Sequence, residues 1–566
     1  MYIRNHHFRF YAVISFFFLF LSLLTIRLLF IQIFRSSYLT ELAEKQHNYF
    51  TELEPARGAI FDRNLRQQAA NIACDSLYAV TAKIKDKGGT AQELKELLNL
   101  DTAFLLERLS RKKSFIWLAR KISPEQVSRI KELKIEGLGF VRETKRCYPN
   151  KDLASHVIGF AGLDNKGLEG LESLYDKYLK GEPGWSLCIR DARQRMLTMS
   201  EKFIPARDGY NLVLTIDEVI QFIAEYELDE IYRRSSAKGA AILVMDPNTG
   251  AILALANRPS FDLNNVNVEG EARRNRVVSD FFEPGSVFKI VTAAAALEEN
   301  AVKEEDRFFC ENGAYQVANH ILHDHTPHGW LSFREVIIES SNIGTTKVAQ
   351  KLGSQIIYKY AKSFGFGALS GIDLPGEVSG VLKNPRQWSK TSIGAVPIGQ
   401  EVCVTVMQLA NMISCIANGG LLYKPYVVKA IQDKNGEIIK EFKPTLVRRV
   451  ISESTAFRLK DILADVVAEG TGRLASLSNF RVAGKTGTAQ KVESGTYSHN
   501  KFIATFIGFV PVDNPRLAMV VMVDEPQGTY FGGTVSAPVF KKVADKTLRY
   551  LDASQALEIA KNIEVE

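Results

Sequence analysis

Hydrophobic and polar residues alternate along this chain in patterns that predict distinct elements. Residues 10–34, FYAVISFFFLFLSLLTIRLLFIQIF, form one apolar run that is long enough to cross a bilayer as a helix. Residues 92–111, QELKELLNLDTAFLLERLSR, carry apolar side chains at helical spacing, and the later SFIWLARKI indicates a strand. SPEQVSRIKEL then predicts a helix with Ser123 as its cap and a proline in the first helical position. The region from 36 to 210 is therefore predicted to be mixed α/β.

Two hairpin patterns frame the second half of the chain. In GAAILVMDPNTGAILALAN (239–257), two apolar segments flank a Pro-Asn-Thr-Gly turn. KFIATFIGFVPVDNPRLAMVVMVDEP (501–526) repeats this arrangement about Asp-Asn-Pro. Between them lie helical segments such as TVMQLANMISCIANGG (405–420), which ends in a glycine pair. Strands at both ends with helices between them predict an antiparallel sheet covered by helices.

Composition and charge exclude some functional classes. Apolar residues make up 46% of the chain and charged residues 24%, which is ordinary for a globular protein. The net charge of +7 is the small difference between 71 basic and 64 acidic side chains, and no dominant basic tract is present. The six cysteines form no CxxC pair and no zinc or iron–sulfur spacing. We therefore expect no nucleic-acid partner and no cofactor.

The N-terminal apolar run predicts an uncleaved membrane anchor. Basic or titratable residues precede it at Arg4, His6, His7 and Arg9, so the positive-inside tendency keeps the N-terminus in the cytoplasm. A cleaved signal peptide is the less favoured alternative, because the run is long and no small-residue cleavage site follows it. We expect a single-pass protein of the cytoplasmic (inner) membrane, with everything after residue 35 on its periplasmic or extracytoplasmic side.

The stretch FFEPGSVFKIVTAAAALEE places a hydroxyl and an amine three residues apart. Ser286 and Lys289 would share one helix face, with Cβ atoms about 5–6 Å apart. A serine becomes a strong nucleophile when a base removes its proton, and a neutral lysine can be that base. The spacing alone is weak evidence, because it more often reflects a helix cap beside a solvated lysine. Three other pairs share it: Ser110/Lys113, Ser128/Lys131 and Ser235/Lys238.

Two further segments strengthen the prediction of an active site. IIESSNIGTTKVAQ contains Ser340-Ser341-Asn342, and FRVAGKTGTAQKV contains Lys485-Thr486-Gly487-Thr488 on a predicted strand. The series Ser-x-x-Lys, Ser-x-Asn and Lys-Thr-Gly, in this order, forms the active-site set of penicillin-binding proteins and serine β-lactamases. Ser498-His499-Asn500 does not fit this set because it follows the Lys-Thr-Gly.

Sequence segments distributed over nearly the whole chain resemble those of the class B penicillin-binding proteins. RGAIFDRN (57–64) resembles the signature that opens their ectodomain, and KRCYPNKDLASHVIGFAGLDNKGLEGLESLYDKYLKG (145–181) resembles their second N-terminal motif. MDPNTGAILALANRPSFDLN, PIGQEVCVTVMQLANMISCIANGG and GFVPVDNPRLAMVVMVDEP resemble their transpeptidase domain. The overall plan is most similar to the division-specific (septal) transpeptidase, and the elongation-specific enzyme is the close alternative.

The resemblance implies an α+β multidomain protein. Its expected parts are an N-terminal transmembrane helix, an extended mixed α/β pedestal of the dimerisation type, and a serine β-lactamase-like transpeptidase domain. That domain would have an antiparallel sheet flanked by helices. The predicted boundaries are a cytoplasmic tail at 1–9, the anchor at 10–34, the pedestal at 35–210, the transpeptidase domain at 211–552 and a loosely held helical tail at 553–566.

The resemblance also implies a role for each motif residue. Ser286 would attack the D-Ala–D-Ala amide of a stem peptide after neutral Lys289 takes its proton, and the backbone N–H groups of Ser286 and Thr488 would hold the oxyanion. Ser340 would relay a proton to the departing D-Ala, and Asn342 would orient the substrate and Lys289. The remaining residues would serve substrate binding. Lys485 would supply positive charge near Lys289, which also helps keep that amine neutral. Thr486 and Thr488 would bind the substrate carboxylate through their hydroxyls, and Gly487 would leave room for substrate backbone.

The expected partners follow from the same resemblance. They are peptidoglycan stem peptides, β-lactams that acylate Ser286 in place of the substrate, the membrane, and a SEDS-type glycosyltransferase with other division proteins. Two other functional classes stay open from the sequence: a catalytically silent scaffold or β-lactam sensor, and a hydrolase such as a D,D-carboxypeptidase or a β-lactamase. A metal site in the histidine-rich loop NHILHDHTPHGW (319–330) is less favoured than a hydrogen-bonded loop.

Overall fold

The computed structural model describes residues 4–111, 115–190, 196–265, 267–268, 270–493 and 495–565. The chain divides into two compact units. The first comprises Met1–Ala56 with Gly181–Asp208, and the second comprises Arg57–Lys180 with Gly209–Glu566. The domain boundaries expected from the sequence remain predictions.

The α-helices of the described residues are, in chain order, α1 (Arg4–Leu29), α2 (Ser36–His47), α3 (Lys87–Leu98), α4 (Thr102–Ser110), α5 (Pro124–Glu132), α6 (Ser155–Ile158), α7 (Gly170–Leu174), α8 (Asp176–Leu179), α9 (Glu218–Arg234), α10 (Gly270–Arg273), α11 (Arg276–Ser279), α12 (Lys289–Glu298), α13 (Phe333–Ile338), α14 (Asn342–Leu352), α15 (Ser354–Ser363), α16 (Ser392–Ala395), α17 (Val406–Ala417), α18 (Glu453–Ala468), α19 (Gly532–Val535) and α20 (Ala537–Val565). A π-helical turn, Phe30–Phe34, follows α1.

The strands are, in chain order, β1 (Asn48–Leu53), β2 (Ile60–Phe61), β3 (Gln67–Ala79), β4 (Ile116–Ile122), β5 (Leu138–Cys147), β6 (Gly184–Arg190), β7 (Met196–Ile204), β8 (Asn211–Leu214), β9 (Gly239–Met245), β10 (Ile252–Arg258), β11 (Arg307–Phe309), β12 (Ala314–Val317), β13 (His320–His323), β14 (Trp330–Ser332), β15 (Val381–Leu382), β16 (Val402–Cys403), β17 (Leu421–Lys424), β18 (Val428–Gln432), β19 (Ile438–Glu441), β20 (Thr445–Arg449), β21 (Ala483–Glu493), β22 (Thr496–Val510) and β23 (Leu517–Asp524).

The first unit contains the predicted membrane anchor and a small sheet. His7–Phe34 is a helical stretch of 28 residues that is long and apolar enough to cross a membrane, the one such stretch among the described residues. At 1.5 Å per residue it extends about 42 Å, which exceeds the ~30 Å hydrocarbon core of a bilayer. A three-stranded antiparallel sheet, in the order β1-β6-β7, makes up the rest of this unit's regular structure after α2. The structure is consistent with a single-pass membrane anchor.

A five-stranded sheet forms the centre of the second unit. Its order is β10-β9-β23-β22-β21, and every neighbouring pair is antiparallel. Both hairpins predicted from the apolar pattern are confirmed, as β9–β10 and β22–β23. The strand β21, which carries the Lys-Thr-Gly motif, lies at the sheet edge and pairs with β22 alone among the described strands. One edge of this motif therefore has no strand partner among the described residues.

The central sheet is covered by helices on both faces, as the sequence predicts. Even-numbered residues of β9 pack with α9 and α20, whereas odd-numbered residues pack with α12 and α17. All residues of β9 are buried, which explains why its sequence reads as a continuous apolar run. The face that packs on α12 is the face that receives the Ser-x-x-Lys motif.

A second, larger sheet joins distant parts of the same unit. Its order is β19-β18-β8-β2-β3-β4, with β5 paired to β3, and only the β2–β8 pair is parallel among the described pairings. Helices α3, α4 and α5 pack on β3, β4 and β5 around a separate small core, within the region predicted to be mixed α/β. The RGAIFDRN motif enters this sheet through β2.

The helix expected over 92–111 is two helices in the structure. The first, α3, ends where Asn99 adopts a left-handed conformation with φ of 52°. The second, α4, begins after Asp101, whose side chain accepts a hydrogen bond from the N–H of Ala103. Because asparagine tolerates this conformation and aspartate is a strong N-cap, local side-chain chemistry overrides the apolar spacing.

Candidate active site

Ser286 lies in a tight turn whose backbone needs glycine at two positions. A 3₁₀ turn, Gly285–Phe288, leads directly into α12. Gly285 has φ of 55°, and its N–H donates to the carbonyl of Gly399 at 3.1 Å. Gly399 has φ of 84°, and a Cβ there would lie 2.1 Å from the carbonyl oxygen of Gly285. The two glycines therefore fix the entry to the nucleophile turn by close backbone contact.

Two buried lysines converge on one serine hydroxyl. Lys289 and Lys485 are each 0% exposed, although they come from helix α12 and strand β21. The Nζ of Lys289 donates to the carbonyl oxygen of Ser340 at 2.5 Å and lies 3.2 Å from its Oγ. The Nζ of Lys485 lies 2.8 Å from the same Oγ. The structure thus brings together one residue from each of the three motifs.

Burial changes the protonation of both lysines. It is the main cause that lowers the pKa of Lys289 well below its ordinary value; the charge of Lys485 acts in the same direction, and the carboxylate of Asp324 opposes it. Burial also lowers the pKa of Lys485, to about 7. The shift favours the uncharged amine of Lys289, and near neutral pH Lys485 carries a partial positive charge.

The hydrogen bonds of Lys289 leave it free to act as a base. A neutral amine has two N–H groups and one lone pair. The carbonyl and hydroxyl oxygens of Ser340 accept both N–H groups, so the lone pair is available to another donor. Within the described residues the hydroxyl of Ser286 makes no hydrogen bond, and it lies one helical turn from the amine. Within the described residues, these contacts therefore leave the lone pair of Lys289 without a hydrogen-bond donor.

The Ser-x-Asn segment is held in a strained conformation. Ser340 has φ of 60°, which is unfavourable for a residue with a Cβ. Asp324 stabilises the next residues, because its carboxylate accepts from the N–H of Asn342 at 2.5 Å and from the hydroxyl of Ser341 at 2.6 Å. It also lies at the N-terminus of α14, where negative charge is favourable. Strain of this kind is typical of functional sites.

Asp324 is a site residue that the sequence analysis missed. The sequence placed it only in the histidine-rich loop, where nothing marked it as a partner of the Ser-x-Asn motif. The amide of Asn342 donates to the carbonyl of His323 at 2.8 Å, and it makes no hydrogen bond to Lys289 in the described structure. The orienting role expected of Asn342 remains a prediction.

The Lys-Thr-Gly strand presents two hydroxyls at the sheet edge. The Oγ1 of Thr486 lies 2.8 Å from Oγ1 of Thr471, and the Oγ1 of Thr488 accepts from the N–H of Gly532 at 3.1 Å. Because the Thr488 hydroxyl accepts this bond, its own proton is free to donate to a carboxylate.

Gly487 allows the strand to approach the nucleophile turn. A Cβ at this position would lie 2.9 Å from the carbonyl oxygen of Pro284 and 3.0 Å from the side chain of Val287. The space that this glycine leaves is thus filled by the protein itself, rather than by the substrate backbone that the sequence analysis envisaged. The glycine sets the distance between strand β21 and the turn that carries Ser286.

The other segments weighed from the sequence lie in simpler surroundings. The side chains of Ser498 and Asn500 are hydrogen-bonded to each other in the exposed first part of β22. His325 packs edge-on against Phe531 at 5.3 Å between ring centroids. No group of three or more possible metal ligands occurs in the part of the chain that the structure describes. Arg57, in the RGAIFDRN motif, is buried and forms ion pairs with Glu172 at 2.6 Å and Asp176 at 2.7 Å.

Comparison with known proteins defines the class to which this fold and site belong. Residues 240–545 match the penicillin binding protein transpeptidase domain, and residues 52–214 match the penicillin-binding protein dimerisation domain. The chain therefore belongs to the penicillin-binding protein transpeptidases. Its pairing of these two domains is that of the class B penicillin-binding proteins.

Individual relatives cover nearly all of the chain. Stage V sporulation protein D of Bacillus subtilis is 37% identical over 532 residues, covering 92% of this chain and 82% of that protein. Peptidoglycan D,D-transpeptidase FtsI of Escherichia coli K12 is 31% identical over 542 residues, covering 94% and 90%. The crystal structure of penicillin binding protein 3 from Mycobacterium tuberculosis, complexed with aztreonam, superposes with a TM-score of 0.69 at 28% identity, covering 89% of this chain and 97% of that one.

Proposed function

We propose that this protein is a membrane-anchored peptidoglycan D,D-transpeptidase that cross-links stem peptides through an acyl-enzyme on Ser286. The observation that carries the proposal is the convergence of buried Lys289 and Lys485 on the hydroxyl of Ser340. This arrangement supplies a neutral amine beside the nucleophile together with a route for protons. FtsI of Escherichia coli, which is named a peptidoglycan D,D-transpeptidase, supports the same reaction.

Acylation is the first half of the proposed reaction. Lys289 takes the hydroxyl proton of Ser286, and Oγ attacks the carbonyl carbon of the penultimate D-Ala. The backbone N–H groups of Ser286 and Thr488 hold the oxyanion, and preorganised donors of this type contribute strongly to catalysis. The proton then passes through the hydroxyl of Ser340 to the departing amine, so the C–N bond breaks and D-Ala leaves.

Substrate binding falls to the edge strand. The hydroxyls of Thr486 and Thr488 donate to the terminal carboxylate of the donor peptide, and the charge of Lys485 attracts it. A β-lactam carries a carboxylate near its reactive amide and occupies the same position, and it acylates Ser286 without a leaving group that departs.

Transfer to an acceptor completes the reaction. The amine of a second stem peptide attacks the ester carbon, a C–N bond forms, and the bond to Oγ breaks as Ser286 recovers its proton. This step makes the cross-link. The glycan strand itself comes from a partner, and the class B resemblance points to a SEDS-type glycosyltransferase in the same membrane.

The proposed setting is the division septum. Residues 10–34 anchor the chain in the inner membrane with a cytoplasmic N-terminus, so both domains work outside. Similarity to a protein named FtsI favours division over elongation. A tagged protein is expected at midcell during septation; a uniform lateral distribution throughout the cycle would favour elongation.

The activity is tested with purified full-length protein and, as substrate, uncross-linked glycan strands made by a glycosyltransferase. We expect digested product to contain cross-linked stem-peptide dimers, with one D-Ala released per cross-link, and penicillin to block both. Release of D-Ala without dimers would identify a carboxypeptidase. Rapid turnover of bound penicillin would identify a β-lactamase, and either result would contradict the proposal.

A further inference from the structure

Backbone hydrogen bonds tie the turn that carries Ser286 to a neighbouring segment, residues 399–404. Phe282 and Val404 exchange two backbone hydrogen bonds, of 3.0 and 2.8 Å. The N–H of Gly285 donates to the carbonyl of Gly399, which was described above. Glu283 lies in the chain between these two backbone contacts, and its carboxylate accepts hydrogen bonds from residues outside the turn.

Glu283 holds a strained residue of that segment. Its Oε1 accepts a hydrogen bond from the backbone N–H of Glu401 at 2.9 Å. Glu401 has φ of 57°, a conformation that is unfavourable for residues with a Cβ and that persists where surrounding contacts enforce it. The bond from Glu283 is one such contact, and it acts directly on the strained backbone.

Glu283 also reaches the hairpin of the Lys-Thr-Gly strand. The hydroxyl of Tyr497, on β22, donates to the same Oε1 at 3.3 Å. Strand β22 is the hydrogen-bonded partner of β21, which carries Lys485 and Thr488. One carboxylate oxygen therefore connects the nucleophile turn, the 399–404 segment and the hairpin that forms the substrate edge.

The surroundings of the Glu283 carboxylate disfavour its charged form. Glu283 forms no ion pair among the described residues, and it borders a cavity of about 600 Å³. Burial raises its pKa, and the nearby carboxylate of Glu401 acts in the same direction, while the two hydrogen bonds and the charge of Lys383 oppose them. A carboxylate kept in this partly buried position with no ion-pair partner among the described residues indicates that its hydrogen bonds are needed.

We propose that Glu283 is a positioning residue for acylation, because it locks the turn at 284–286 in the place that aligns Ser286 with Lys289. The inference rests on the proposed function of Ser286. Glu283 touches neither the substrate nor the reacting atoms; it acts through the backbone of the turn. A displacement of about 1 Å in such a group can lower a rate by roughly 10²-fold.

The test separates binding from acylation in the full-length protein. Stopped-flow measurement with a chromogenic β-lactam gives the dissociation constant before acylation and the maximal acylation rate. In Glu283→Ala we expect the maximal rate to fall roughly 10- to 100-fold, with the dissociation constant within about 2-fold of wild type. Glu283→Gln keeps an oxygen that accepts both hydrogen bonds, so it is expected to recover most of the rate.

The control is Glu271→Ala, since Glu271 borders the same cavity but contacts Arg276 rather than the 399–404 segment. Its maximal acylation rate and dissociation constant are expected to equal those of wild type.

An unchanged maximal rate in Glu283→Ala, or a Glu283→Gln variant as slow as Glu283→Ala, would overturn the inference. If Glu283→Ala does not fold, Tyr497→Phe decides: a few-fold slower rate with unchanged affinity supports the inference, and an unchanged rate overturns it. Failure of the wild type to be acylated would instead refute the proposed function.

Discussion

Ser286→Ala is expected to abolish covalent labelling by fluorescent penicillin while leaving the fold intact. The variant lacks the oxygen that forms the acyl-enzyme, and no other hydroxyl among the described residues lies on the turn before Lys289. The serine hydroxyl makes no hydrogen bond in the described structure, so its loss is expected to change the unfolding free energy by no more than about 0.5 kcal/mol. Gel fluorescence and a thermal unfolding curve measure the two effects.

The matched control for this variant is Ser128→Ala. Ser128 has a lysine three residues later, as Ser286 does, but it lies on α5 of the small lobe. We expect this variant to be labelled as strongly as wild type. Labelling of Ser286→Ala at the wild-type level would show that the nucleophile is elsewhere.

Lys289→Met is expected to lower the second-order rate of acylation by about 10²–10⁴-fold, the usual contribution of a general base. Methionine is unbranched and apolar, so it fits a fully buried site without leaving a large void. At a pH below the ordinary lysine pKa, the amine of Lys289 is protonated in the unfolded chain. It must lose that proton when folding buries it, which lowers the free energy of unfolding. The variant is therefore expected to be at least as stable as wild type, so the lost activity cannot be ascribed to unfolding.

Lys131→Met controls for removal of a lysine at the same spacing. Lys131 is exposed and lies 5.3 Å from the ring of Phe140. Its replacement is expected to leave acylation unchanged. A Lys289→Met variant that is acylated within 10-fold of wild type would require a different base for Ser286.

The three active-site motifs could be predicted from sequence because each is a short local pattern. Ser286, Ser340 and Lys485 needed only their neighbours in the chain to be recognised. Their joint geometry also needed the fold, since the position of Ser340 depends on a left-handed backbone and on contacts from Asp324 in a separate loop. Asp324 gave no signal as a site residue because it reaches the motif only through tertiary structure.

Local parts of the fold could likewise be predicted from the sequence, and long-range parts could not. The β9–β10 hairpin was predictable, since its turn residues lie between two apolar segments. The large sheet was not, because β2 pairs with β8 and β8 with β18, strands that are far apart in the chain. The break at Asn99 was readable in principle from the aspartate cap that follows it. Apolar periodicity alone predicts one continuous helix over 92–111.

The pH dependence of acylation is the most direct test that Lys289 is an uncharged base beside a cationic Lys485. Low pH protonates Lys289 and removes the base, so the rate is expected to rise with pH through a midpoint well below the ordinary lysine value of about 10.4. It should fall again near pH 7 as Lys485 loses its proton, and Lys485→Arg, which stays charged, should remove that fall. A rate that keeps rising to pH 10 or above would show that Lys289 is an ordinary charged lysine, and it would contradict the mechanism.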